Sequence, residues 1–135
     1  MAVLQASTLI AIGTVNLDFR LAREARGVLI NANGTAKGAG ATTLSLTLQF
    51  FDDASKTYVA LKDSTAAGPV AVTLPAQAIT PTENFTLTVY PSFGQPITAG
   101  AKERFFSAAV PASLRLVAVV AVDTLTFSVT AKSLY

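Results

Sequence analysis

Four groups of residues have the types and spacing to do chemistry. Asp52 and Asp53 are adjacent carboxylates, which could ligate a cation or share a proton. Lys37-Gly38-Ala39-Gly40 is a glycine-rich stretch of the kind that can cradle phosphate. Arg20, Arg23 and Arg26 form the densest basic cluster, with Asp18 and Glu24 among them. Phe93, Phe105 and Phe106 lie near Lys102 and Arg104, a combination enriched where proteins meet.

Each group also has a plainer reading. Neighbours on a strand point to opposite faces, so Asp52 and Asp53 are poorly placed to share a proton, and a solvated turn is expected. A phosphate loop stands between a strand and a helix, usually with a following Lys-Ser/Thr. Here Thr42 to Phe50 reads as a strand, so the glycines are expected in a hairpin loop. The three arginines fit either a solvated corner with internal ion pairs or a contact to an acidic protein surface. Nucleic acid is not expected, because neither interleaved aromatics nor a long basic tract accompanies them. The three phenylalanines fit either plugs at one end of a core or anchors at a subunit contact. Two Asn-X-Thr triplets, at 33–35 and 84–86, match the glycosylation pattern but are common by chance in a Thr-rich chain.

Composition narrows the function classes. The 135 residues contain no His, no Cys and no Trp. The commonest general base and zinc ligand, disulfides and thiolate metal sites are therefore excluded. No cofactor, no metal and no enzymatic activity are expected. The net charge of +2 is too small to argue for nucleic acid. Only 13% of residues are charged against 51% hydrophobic, fewer charges than usually cover a monomer, so shared apolar surface is expected. The longest apolar run, Leu116 to Val122, is far shorter than the roughly twenty residues of a membrane helix. The start of the chain lacks the basic flank of a signal peptide, and a soluble protein is expected.

The elements that must position these residues are strands. In residues 43 to 50, Leu44, Leu46, Leu48 and Phe50 alternate with Thr43, Ser45, Thr47 and Gln49, the mark of a half-buried strand. Residues 70–74, 84–89 and 125–132 repeat the pattern. Val28 to Ile30 and Leu114 to Val122 are denser and are expected to be covered on both faces. Asn33-Gly34, followed by Gly38 and Gly40, is a hairpin or loop signal. Residues 17–29 contain good helix formers, so a helical turn competes there with a strand end and a corner leading into Val28. A short helical turn is also expected near Ala101 to Phe106. The sum is an all-β single domain over 1–135: an antiparallel, jelly-roll-like β-sandwich of about seven or eight strands. The 85–89 and 125–131 strands are expected to cover the Leu44–Phe50 face. Residues 1–12 are apolar and uncharged, an edge strand or an intersubunit arm.

Several pieces taken together, Ala25 to Ala36, Thr43 to Leu61, Phe85 to Pro91 and Pro111 to Tyr135, resemble the small β-sandwich virion proteins of tailed bacteriophages, many of them capsid decoration or cement proteins. The resemblance implies a non-enzymatic protein that binds a capsid lattice in many copies at the capsid surface, after synthesis in the host cytoplasm. Its partners would be the major capsid protein or other virion subunits, with homo-oligomerisation and neither nucleic acid nor membrane. The expected contact residues are Leu4, Leu9, Ile10, Arg20, Arg23, Phe93, Phe105 and Phe106. The alternatives are a carbohydrate-binding or adhesion module using Tyr58, Tyr90 or Tyr135, and a tail-associated structural protein.

Overall fold

The computed structural model describes residues 2–63, 70–79, 83–91, 97–100 and 102–135, with the backbone alone at positions 2, 5, 7, 9 and 97–100. In chain order its strands are β1 (Ala2–Ile10), β2 (Gly13–Arg20), β3 (Gly27–Lys37), β4 (Thr43–Asp52), β5 (Thr57–Ala60), β6 (Lys62–Asp63) and β7 (Val70–Ala71). They continue with β8 (Thr73–Ala78), β9 (Asn84–Val89), β10 (Ile97–Gly100), β11 (Glu103–Phe106), β12 (Ser113–Ala121) and β13 (Leu125–Leu134). Eight of them have six or more residues, in keeping with the expected number, and the others are short. No helix occurs among the described residues.

The strands form a β-sandwich. One sheet runs β1-β13-β3-β9-β11-β10; the other runs β2-β12-β4-β5, with β8 also paired to β4. The small β6–β7 pair stands apart from both. Period-two alternation turns one side of each long strand inward. Leu44, Leu46 and Leu48 from β4 share a core with Phe85 and Leu87 from β9 and with Phe127 and Val129 from β13, all 0% exposed. The covering strands are therefore those expected. Burial of one such Leu or Phe contributes on the order of 1.5–3 kcal/mol.

Several expectations need correction. The dense run Leu114 to Val122 is not covered on both faces. Leu114, Leu116, Ala118 and Val120 are buried, while Val117 is half-buried and Val119 is exposed outward. Apolar density here means valines on an outer face rather than a second packed layer. In β3 the positions opposite Val28, Ile30 and Ala32 are likewise only half-buried.

Asn33-Gly34 does not turn the chain. β3 continues to Lys37 because Asn33 pairs with both Ser128 and Asn84 and Gly34 pairs with Phe127. The register shift beside them leaves Thr35 as an extra residue, a bulge. The chain reverses later, at 38–42. Residues 17–29 take the strand-and-corner course. Val15, Leu17 and Phe19 pack against the core, and β2 pairs with β12 as far as Arg20 opposite Ser113. Where a helical turn is expected near Ala101 to Phe106, residues 103–106 form β11, whose Phe105 and Phe106 register with Thr88 and Val89, and residue 101 lies outside the described residues. The β9–β11 pairing is parallel, the one departure from an antiparallel sandwich among the described strands. A parallel neighbour requires a crossover of a dozen residues or so, which the chain after β9 supplies.

Candidate interaction surface

The corner between β2 and β3 is assembled by backbone bonds to distant strands. Leu21 N–H donates to the Ala112 carbonyl (2.9 Å) and Arg26 N–H to the Leu134 carbonyl (2.7 Å). Ala22 N–H donates to Ser133 Oγ (3.1 Å), and Ala25 N–H closes the turn on the Ala22 carbonyl (3.1 Å). Glu24 takes the left-handed backbone conformation at φ 72°. Within this frame Arg20 donates to Ser113 Oγ (2.9 Å), and Arg23 is exposed. Arg26 lies over the Tyr90 ring, 5.4 Å from its centroid, and Tyr90 Oη donates to the Tyr135 carbonyl (3.2 Å). Of the expected internal ion pairs, Asp18 has one. It binds Arg115, from a neighbouring strand, rather than a member of the arginine cluster.

β1 ends the sheet order, pairing with β13 from Ala2↔Ala131 to Ile10↔Leu125. Residues 2–10 are thus an edge strand within the chain. Leu4 and Ile10 pack partly against the core. Leu9 registers with Thr126, and its side chain lies outside the described residues. Val3 (67% exposed), near the start of β1, and Ile12 (61%), in the bend that follows it, present apolar surface. Two register shifts interrupt the β1–β13 pairing, between Val3 and Gln5 and between Gln5 and Thr8.

The aromatic group separates. Phe106 is 2% exposed and plugs the core. Phe105 is half-buried and registers with Thr88, on the side of the strand opposite to Phe106. Phe93 lies outside the described residues. Lys102 pairs with Glu83 and sits over the Phe85 ring.

The other chemical candidates are structural. Asp52 accepts from Ser55 Oγ (2.7 Å) and from the amides of Ala54 and Ser55 (3.3 Å each), forming the expected turn. The Ser55 hydroxyl, then the Ala54 amide, hold its pKa below the ordinary carboxylate value. The glycine-rich loop already carries an internal anion. Asp123 accepts from the amides of Gly40 (2.8 Å) and Thr124 (2.7 Å), and these bonds lower its pKa. Lys37 Nζ donates to the Gly40 carbonyl (3.0 Å). A Cβ at Gly38 would overlap the Asp123 carboxylate, which would have to move aside. Among the described residues no group of three or more acidic side chains could hold a metal.

The tyrosines are not bare platforms. Arg115 stacks 3.9 Å from the Tyr58 centroid, and Phe51 meets the same ring edge-on at 5.4 Å. Tyr90 has Arg26 on its face. Only Tyr135, 70% exposed, presents an open ring among the three.

Comparison with protein families finds no match, and comparison with curated proteins finds none. Among solved structures the chain is similar to one of infectious bursal disease virus, Gt strain, at 14% identity with a TM-score of 0.37. The similarity covers 96% of this chain and 28% of that one. A likeness this distant carries no functional argument.

Proposed function

We propose that the protein is a non-enzymatic structural component of a virus particle, binding the assembled capsid in many copies and stabilising it. The observation that carries this reading is the uncharged edge strand β1, with Val3 exposed near its start and Ile12 exposed in the bend that follows it. An edge of this kind is a template for contact with another chain. The low charge content and the sequence resemblance to phage decoration proteins point the same way. A protein that binds only the assembled shell stabilises it by mass action.

The test is made on virions of the source virus. Quantitative mass spectrometry should find many copies in the head fraction, and particles lacking the protein should melt at lower temperature. Val3→Lys with Ile12→Lys should reduce occupancy while leaving the melting of the free protein nearly unchanged. Absence from virions would sink the proposal. Recovery in the tail fraction alone would replace decoration by a tail role.

A further inference from the structure

The corner loop stands between two hollows. One, of about 460 Å³, opens between the ends of β2 and β13 and has Arg20 and Lys132 in its wall. The other, of about 470 Å³, lies along the loop itself and has Arg20, Arg23 and Glu24 in its wall. Leu21 and Ala22 line both and form the ridge between them. Three cations thus face one side-chain carboxylate. The remaining lining combines Phe19 and Ala131 with Ser133 and Tyr135 in the first hollow, and adds Val110 and Ala112 in the second.

We infer that this end of the sandwich is a docking site for an acidic polypeptide segment of a partner protein. A segment laid over the Leu21–Ala22 ridge places a carboxylate in each hollow, and its apolar parts meet the floors. Arginine suits the task, since its planar fork grips a carboxylate through two N–H groups. Arg20 carries five N–H donors, and Ser113 takes one of them. The hydrogen bonds that pin residues 21–26 to the Ala112 and Leu134 carbonyls and to the Ser133 hydroxyl mean that little ordering is required on binding. Nucleic acid fits less well. The cations occupy one end rather than a stripe, and Tyr90, the half-buried ring at the corner, already has Arg26 on its face. The site begins beside β1, because Ala2 registers with Ala131. The inference rests on the proposed virion role only for where the partner is found.

The experiment titrates the full chain with a labelled hexaglutamate peptide at low salt, and with an oligothymidylate of equal charge. Saturable peptide binding is expected, with backbone amide shifts confined to residues 19–26, 110–113 and 131–135. Arg20→Gln with Arg23→Glu should weaken it at least about tenfold, the scale of a lost charge-assisted bond. Lys62→Glu, an exposed charge on β6, should not. Arg23→Glu alone, in the exposed loop, guards against a folding defect at Arg20. No saturable binding, an equal loss in Lys62→Glu, or tighter binding of the oligothymidylate at these residues would each overturn the site. Virion association of the wild type is measured in parallel. Virion association without peptide binding removes this site and leaves the virion role. Peptide binding without virion association does the reverse.

Discussion

Arg115 on β12 grips Asp18 on β2 with two bonds, Nε to Oδ1 at 2.6 Å and Nη2 to Oδ2 at 3.1 Å, while its guanidinium covers the Tyr58 ring. The three residues come from three strands of one sheet and lie on its outer face. The pairing ties the edge strand β2 to the middle of the sheet.

This pair predicts a pH dependence. The Arg115 side-chain bond holds the Asp18 pKa below its ordinary value. A carboxylate of this kind contributes stability above its unfolded pKa and loses that contribution as pH falls through the folded one. Asp18→Asn should therefore flatten the acid limb of the stability curve while changing neutral-pH stability little, because the pair is solvent-screened. Urea unfolding across the acid range checks this. An unchanged acid limb would show the pair to be inert.

The core gives a second prediction. Leu46→Ala and Phe127→Ala should each cost about 2–5 kcal/mol, since both side chains are fully buried. Ser128→Ala, on the outward side of β13, should stay within about 0.5 kcal/mol. Thr47→Ala should fall between, near about 1 kcal/mol, because its hydroxyl pairs with that of Thr73 at 3.0 Å. Chemical denaturation of the four variants gives the ranking. Similar losses at Leu46 and Ser128 would contradict the strand phase.

Val122 supplies a third. It sits in the turn between β12 and β13 at φ 78°, a conformation that β-branched residues strongly disfavour, and is 61% exposed. Val122→Gly should raise stability by roughly 1 kcal/mol, because relief of the left-handed strain exceeds the little packing lost. A lower midpoint in the glycine variant would mean that the valine side chain contributes packing in the folded protein.

The Asp123 clamp supplies the fourth. Asp123→Asn should speed amide exchange at Gly40 and Thr124, whose N–H groups the carboxylate receives. Exchange in central β4 should be unaffected. Hydrogen exchange read by nuclear magnetic resonance resolves the two regions.

The sequence alone determined the β class, the phase of β4, β9 and β13 and the turn at Asp52, while between a helical turn and a corner over residues 17–29 the tertiary structure decided. Those are local properties: alternation decides which side chains can share a face, and Asp or Gly decides where a chain can bend. It also determined the absence of imidazole and thiolate chemistry, which no fold can restore. Tertiary structure decided the rest. Asn33-Gly34 carries a strong local turn signal, yet pairing to β9 and β13 on both sides keeps it extended. Gly27 needs its hydrogen because the Val89 carbonyl and the Tyr90 ring approach too closely for a Cβ. Lys132 gave no sign of belonging with Arg20, since the two share a hollow only because β2 and β13 end side by side in opposite sheets. Asp123 reaches Gly40 across 83 residues, and Arg115 reaches Asp18 across 97. Such meetings depend on strand order and register, which arise from the packing of two whole sheets and leave no trace in local spacing.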